Sequence, residues 1–166
     1  RETISLQRLV SDLLDLSRIE AGRIQLKSEL VNLDAVVKTV VKTMQPKIEE
    51  KQQTLTASID AAATRVNGDR DKLVQVLTNY VSNAHKYTPA GGTIRLEIGA
   101  QDRFARVAVA DNGHGIAPED QARLFTRFYR VDNAMTREVG GTGLGLSIVK
   151  QLVEMIRCNI KLCWPS

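Results

Sequence analysis

Four residues between Gln75 and Tyr87 have types and spacing suited to holding a charged ligand. On an α-helix Gln75, Asn79, Asn83 and Lys86 fall within about 80° of one another. Leu73, Leu77, Tyr80, Val81 and Ala84 take the opposite side. A solvated helix face is normally written in Glu and Lys, whereas Asn competes with the backbone for hydrogen bonds and forms helices poorly. A row of neutral amides beside one ammonium suits a metal-bound polyphosphate. On this helix alone, a polar surface stripe explains the row equally well.

Two glycine-bearing loops follow. Asp111-Asn112-Gly113-His114-Gly115-Ile116 leaves an apolar strand, residues 106–110. Glycines at a strand end let the backbone approach a ligand closely or take positive φ, and Asp111 can accept a hydrogen bond from an exocyclic amine. Alone, such a segment is more often only a turn. Gly140-Gly141-Thr142-Gly143-Leu144-Gly145-Leu146 places four glycines in six residues ahead of an apolar helical run. Backbone N–H groups at a helix N-terminus form an anion site, and Thr142 adds a hydroxyl. No Gly-Lys-Ser/Thr follows, so it is not a Walker loop, and the dinucleotide spacing is absent. Between the loops, Phe125 and Phe128 are expected on one helix face, with Arg127 and Arg130 able to reach a terminal phosphate. Surface solubility would explain the arginines if they lacked these neighbours. The polar stretch Val131 to Val139 has the usual address of a mobile lid.

These residues need a scaffold, and the pattern of the chain supplies one. Leu6, Leu9, Leu13, Leu16 and Ile19 recur by threes and fours, predicting a helix from Arg1 to about Leu26 that weakens at Ala21-Gly22. That seam fits a partner helix or the domain's own core. A short strand is expected at Glu29–Leu33, then a helix capped by Asp34 and running to about Glu50, with Val36, Val37, Val40 and Val41 inward and Pro46 near its end. Strands are expected at Thr54–Ile59, Arg65–Asn67, Thr93–Gly99 and Arg103–Ala110. Gly68-Asp69 starts the amide helix and Thr88-Pro89 ends it. A short helix near Glu119–Phe128, a polar linker and a helix from Leu144 to Ile156 complete the chain. Mixed strands and helices predict an α+β two-layer sandwich with helices on one sheet face.

Composition narrows the function. The 166 residues can bury one real core. Hydrophobic residues make up 43% and charged residues 25%, ordinary for a globular chain, while aromatics are only 4% and leave the core to Val, Leu, Ile and Ala. The net charge of +4 comes from Lys and Arg interspersed with acids, so no nucleic-acid partner is expected. No apolar window reaches membrane-spanning length, and the N-terminal sequence is not a signal peptide. Cys158 and Cys163 match no metal spacing and fit a reducing cytoplasm. The chain begins in mid-pattern without Met and is expected to be a piece of a longer protein.

The order of amide helix, DNGHGI, FTRFYR and GGTGLGLSIV closely resembles the catalytic ATP-binding domain of bacterial sensor histidine kinases. The opening LVSDLLDLSRIEAGRIQL resembles the second helix of their dimerisation domain. The resemblance covers about Leu6 to Met155 and implies a Bergerat-type ATP-binding fold over 29–166, preceded by a partial dimerisation domain over 1–28. It implies ATP and Mg²⁺ as ligands, with Asn83 as the metal ligand and Asn79 in the phosphate and metal shell. Gln75 would orient metal-bound water, Lys86 would contact phosphate and Tyr87 would pack near the adenine. Asp111 would hold the adenine amine, with Gly113, Gly115 and Ile116 shaping the pocket. Arg127 and Arg130, beside Phe128, would lie near the γ-phosphate, and Thr142, Gly143, Leu144, Gly145 and Leu146 would cradle the phosphates. It further implies a homodimer through the N-terminal helix, a response-regulator receiver domain as partner, and a parent protein compatible with a membrane anchor.

The chain departs from the family in two ways. Its histidines, His85 and His114, lie inside nucleotide-binding motifs, so the phosphoacceptor is expected elsewhere. After LVEM the chain runs IRCNIKLCWPS, where the family continues with His-Gly-Gly and a strand pair. An incomplete sheet edge and reduced stability are therefore expected. Two other readings stay open: a nucleotide-binding module without transfer activity, and another ATPase of the superfamily. The dimerisation-like helix and FTRFYR argue against the latter.

Overall fold

The structure, a computed structural model, describes residues 2–155. They fall into two compact units, residues 27–115 and the segments that precede and follow them.

In the unit of residues 27–115, α2 (Leu33–Glu50) and α3 (Arg70–Tyr87) pack together, α2 also against β2 (Thr54–Ile59) and α3 against β4 (Thr93–Gln101) and β5 (Phe104–Asp111). β2 pairs parallel with β4, and β4 pairs antiparallel with β5, giving the mixed sheet expected. Alternation along β4 is complete: Ile94, Leu96 and Ile98 are buried while Thr93, Arg95 and Glu97 are exposed. That one-sided pattern fixes the register, because a slip of one residue would turn the apolar set to water. The buried face joins Val36, Val40, Met44 and Ile48 of α2 with Leu77, Val81 and Ala84 of α3 in one core. Burial of each large side chain contributes about 1.5–3 kcal/mol. A second ribbon pairs β1 (Glu29–Asn32) with β3 (Arg65–Gly68), antiparallel.

Boundaries differ from expectation where side chains outcompete pattern. The cap of α2 is Asn32, not Asp34: its Oδ1 accepts from the N–H of Asp34 at 2.9 Å and of Ala35 at 3.4 Å. α2 runs to Glu50 as expected, with Pro46 inside the helix. The β4–β5 ladder is longer than expected, because Gln101 pairs with Phe104 around a two-residue turn with Asp102 at φ 52°.

The other unit contains α1 (Glu2–Glu20), α4 (Pro118–Gln121), α5 (Ala134–Glu138) and α6 (Gly145–Met155). α1 stops six residues before the expected Leu26, with Gly22 at φ 63° closing it. α1 packs against α6; of its seam, Leu16 is buried, while Leu6 and Leu13 are exposed. The helix expected to Phe128 ends at Gln121, so Phe125 and Phe128 do not share a helix face; Phe128 is exposed at φ 61°. The expected strand near the C-terminus and the sheet edge it would leave lie outside the described residues. Among the described residues no helix is long and apolar enough to cross a membrane.

Candidate functional site

The amide row is built on α3, whose two ends are held by side chains. At the N-terminus Asp69 is buried; its Oδ1 accepts from Lys72 N at 3.2 Å, and its Oδ2 from Lys27 N at 3.0 Å. Burial pushes the Asp69 carboxyl up, but the N–H groups of Lys27, Lys72 and Asp71 outweigh it and hold its pKa below the usual range. At the C-terminus Thr88 N donates to Ala84 O at 3.0 Å and ends the helix. Between these ends the apolar face of Leu77, Val81 and Ala84 is buried, while Gln75, Asn79, Asn83 and Lys86 are half-buried. Tyr80 lies near the border of that face, and its phenol is pushed up to about 12 by burial.

His85 is engaged in the fold. Its Nδ1–H donates to Gln53 Oε1 at 2.7 Å. Burial lowers its pKa, and the positive charges of Lys51, Lys47 and Lys86 lower it further.

The Asp111 loop docks on the end of the same helix. Gly113 N donates to Asp111 Oδ1 at 2.9 Å. A Cβ at Gly113 would lie 2.5 Å from Tyr87 O, so only glycine lets this loop touch the helix backbone. Asn112 pins the other side, its Oδ1 accepting from Thr93 N at 2.8 Å. Tyr87, Asp111 and Gly113 are therefore brought together as expected, whereas Gly115 is exposed at φ 71° and the Ile116 carbonyl accepts from Gln121 Nε2.

In the other unit the expected phosphate residues are close to protein partners. Phe128 N donates to Gly143 O at 3.0 Å, and a Cβ on Gly143 would lie 2.8 Å from the Phe128 carbonyl carbon. Gly143 also has φ 72°, so both space and conformation demand glycine. Thr142 Oγ1 lies 3.3 Å from the Leu144 N–H that it caps and donates to Asp12 Oδ2 of α1 at 2.8 Å. Leu144 is fully buried, and Gly145 and Leu146 form the first turn of α6. Arg127 forms an ion pair with Glu20, also of α1. Arg130 does not pair with it; its guanidinium donates to the carbonyls of Thr136 and Val139. Residues 131–139, expected as a polar linker, contain α5, with Asn133 and Thr136 exchanging hydrogen bonds at its start.

Sequence reasoning missed Lys51 and Gln53, which grip the end of α3, and Asp12 and Glu20, which hold Thr142 and Arg127. The first pair lies more than thirty positions from its partners, and the second more than a hundred. No local pattern signals contacts at such separations. A groove of about 780 Å³ between α2 and β2 is lined by Val37, Val41, Pro46, Ala57 and Ile59 and holds none of the candidate ligands.

Comparison with known proteins identifies this combination. Residues 68–163 match the family described as histidine kinase-, DNA gyrase B-, and HSP90-like ATPase. The chain belongs to this family. Drug sensory protein A of Synechocystis is 39% identical over 171 residues, 97% of this chain and 26% of that protein. Sensor histidine kinase WalK of Bacillus subtilis is 36% identical over 155 residues, 92% of this chain and 25% of WalK. The chain thus spans about a quarter of the length of these relatives. Full-length ShkA in complex with AMPPNP superposes with a TM-score of 0.80 at 33% identity, over 93% of this chain and 32% of ShkA. Histidine kinase ThkA, in complex with response regulator protein TrrA, superposes with a TM-score of 0.72 at 25% identity, over 94% of this chain and 43% of ThkA. The α+β architecture and ATP binding are thus those of histidine kinase catalytic domains.

The donors on α3 also fit a magnesium ion. Mg²⁺ takes hard oxygen ligands, keeps several waters and completes its shell with substrate phosphates. It therefore needs few protein donors. Asn79 and Asn83 offer amide oxygens that make no side-chain hydrogen bond among the described residues. No cluster of three or more His, Cys, Asp or Glu suited to a metal occurs there.

Proposed function

We propose that this chain is the ATP-binding catalytic part of a sensor histidine kinase. In the intact protein it transfers the γ-phosphate of ATP to a histidine elsewhere, for relay to an aspartate of a response-regulator receiver domain. The likeness to ThkA in its regulator complex supports that partner. The observation that supports the reading is the Asp111–Gly113 loop fastened against the end of the amide helix, where this reading puts the adenine next to the metal and phosphate ligands.

Each residue has a definite task in this reading. Asp111 accepts from the adenine amine through the carboxylate oxygen that Gly113 does not use, and Tyr87 packs near the ring. Asn83 holds Mg²⁺, Asn79 supports the phosphate and metal shell, and Gln75 orients water beside it. Bound Mg²⁺ neutralises charge on the phosphate oxygens. Lys86 adds a positive charge, and the backbone from Thr142 to Leu146 offers N–H donors. Arg127 and Arg130 serve the γ-phosphate end after exchanging their present partners. Phosphoryl transfer asks chiefly for such positioning and charge stabilisation. Residues 1–28 are the partial dimerisation domain, with α1 as its second helix pairing two copies of the parent protein, and this part of the parent works in the cytoplasm.

Calorimetric titration of Mg·ATP into the chain and into Asn83→Ala and Asp111→Ala tests the reading. Each substitution is expected to weaken binding by at least tenfold, the scale of one or two strong polar contacts. Unchanged affinity in Asp111→Ala would remove the adenine assignment. Phosphorylation in trans of an acceptor-helix fragment from a relative tests transfer itself.

A further inference from the structure

The end of α3 is held by a clamp that the proposed chemistry does not yet use. The last carbonyls of a helix have no intrahelical partner. Here they are met by two side chains from the turn that joins α2 to β2. Lys51 Nζ donates to His85 O at 2.9 Å and to Lys86 O at 3.2 Å. Gln53 Nε2 donates to His85 O at 3.1 Å, Thr88 O at 2.7 Å and Pro89 O at 3.4 Å. The Gln53 amide is oriented by chemistry, because its NH₂ faces only carbonyls and its oxygen faces the His85 Nδ1–H. Gln53 is only 7% exposed, so none of these bonds competes freely with water. The turn is itself fixed, with Gln52 at φ 54° and Gln53 N bonded to Ile48 O at 2.9 Å. It is also sewn to the following loop, since Gly91 N donates to Lys51 O and Thr54 N to Gly92 O.

We propose that Gln53, assisted by Lys51, is a positioning residue for nucleotide binding. It sets the last turn of α3 and through it the places of Asn83, Lys86 and Tyr87. The inference rests on the assignment of these residues to Mg·ATP. Four carbonyls between His85 and Pro89 are gripped by two side chains, so the turn cannot rotate without breaking several buried hydrogen bonds at once. An error of about 1 Å in ligand placement is enough to cost much of a site's function. Gln53 touches neither nucleotide nor metal in this reading. It acts through the backbone of the residues that do.

The test uses the whole 166-residue chain with ADP as probe, titrated with Mg²⁺ and again in EDTA. Gln53→Met keeps the length of the side chain and removes every hydrogen bond that the side chain makes. Circular dichroism first fixes a temperature at which each variant is fully folded, so affinity is read on native molecules only. Gln53→Met is expected to weaken Mg·ADP binding about tenfold and to shrink the gain in affinity that Mg²⁺ gives, while Lys51→Met, which leaves Gln53 in place, loses about threefold. A purely structural role would lower the melting temperature and leave both readings intact, and that result overturns the proposal. Restored Mg·ADP affinity in the apolar pair Gln53→Leu/His85→Leu also overturns it, because packing alone would then suffice. If Gln53→Met does not fold, the half-exposed Lys51 decides: weaker Mg·ADP binding by Lys51→Met supports the proposal, and unchanged binding overturns it. Failure of the unsubstituted chain to bind Mg·ADP overturns the functional reading along with this one. Binding by that chain with no change in Gln53→Met overturns this one alone.

Discussion

The helix that carries the amide row and the segments that carry the glycines and arginines are made rigid by different means. α3 is capped by a buried Asp69 at one end, gripped by Lys51 and Gln53 at the other, and anchored along its length by Leu77, Val81 and Ala84 in the core. The side chains proposed as ligands project from a backbone that other residues hold. In the other unit the residues proposed as ligands make the holding contacts themselves. Thr142 is bonded to Asp12, Arg127 to Glu20 with both side chains largely exposed, and Arg130 to the carbonyls of Thr136 and Val139. A ligand arriving at Asn79 and Asn83 meets amides set in place by a held backbone, whereas one arriving at Thr142 or Arg127 must displace an acid. Preorganisation therefore resides in the residue 27–115 unit, and the glycine and arginine segments supply exchangeable contacts.

The largest effect expected separates stability from binding. Leu96→Ala empties a fully buried position under both helices and should destabilise the residue 27–115 unit by about 3 kcal/mol. Urea unfolding followed by circular dichroism reads it directly. Gly143→Ala meets the Phe128 backbone and a φ of 72°, which costs about 1–2 kcal/mol locally. Its expected signature is weaker nucleotide binding with little movement of the main unfolding transition. A Gly143→Ala midpoint lowered as far as that of Leu96→Ala would break the comparison, because the glycine segment would then be part of the main cooperative core.

A smaller effect sharpens the claim that α3 is anchored through backbone groups. The Asp69 carboxyl has a folded pKa below its unfolded value of about 3.9. Its charged form is favoured by folding, so its contribution is complete above the unfolded pKa and disappears as pH falls through the folded one. Asp69→Ala should cost about 1 kcal/mol at neutral pH, the usual loss for an N-cap. The gap between Asp69→Ala and the parent chain should narrow below pH 4. Urea midpoints measured from pH 7 to pH 3 check this, and a constant gap would show that the charge of Asp69 is irrelevant to the cap.

The two regions also differ in how far the sequence reveals them. Strand alternation at Thr93–Ile98, the apolar face of α3 and the Gly68-Asp69 start are local, and each element appears where the pattern puts it. The amide row is legible for the same reason, since helical spacing alone puts its residues on one face. Asn32 took the cap expected of Asp34 because two polar residues two positions apart competed and geometry chose the earlier one. Around Phe128 the pattern misled. The pattern predicts a short helix over Glu119–Phe128 with Phe125 and Phe128 on one face, but Phe128 turns to φ 61° and crosses Gly143, a contact set by a residue fifteen positions later. α5 was invisible because five residues held by Arg130 and Thr136 carry no apolar period. Lys51 and Gln53 look like ordinary turn residues until tertiary structure brings the end of α3 to them.

The smallest effect expected bears on whether the contacts of α1 are exchangeable. An exposed ion pair is worth about 0–1 kcal/mol because water and salt screen it. Glu20→Gln should therefore leave the melting temperature nearly unchanged. Asp12→Asn keeps an acceptor for Thr142 but removes the negative charge beside a hydroxyl assigned to phosphate. Both substitutions remove an acid that competes with, or repels, an incoming phosphate, so Mg·ATP affinity should rise by about two- to threefold at low salt. The gain should shrink as ionic strength increases, and titrations at two salt concentrations measure it. Weaker binding in either variant would mean that the acid helps to shape its partner for the nucleotide. Thr142 or Arg127 would then be preorganised in the same sense as the row on α3.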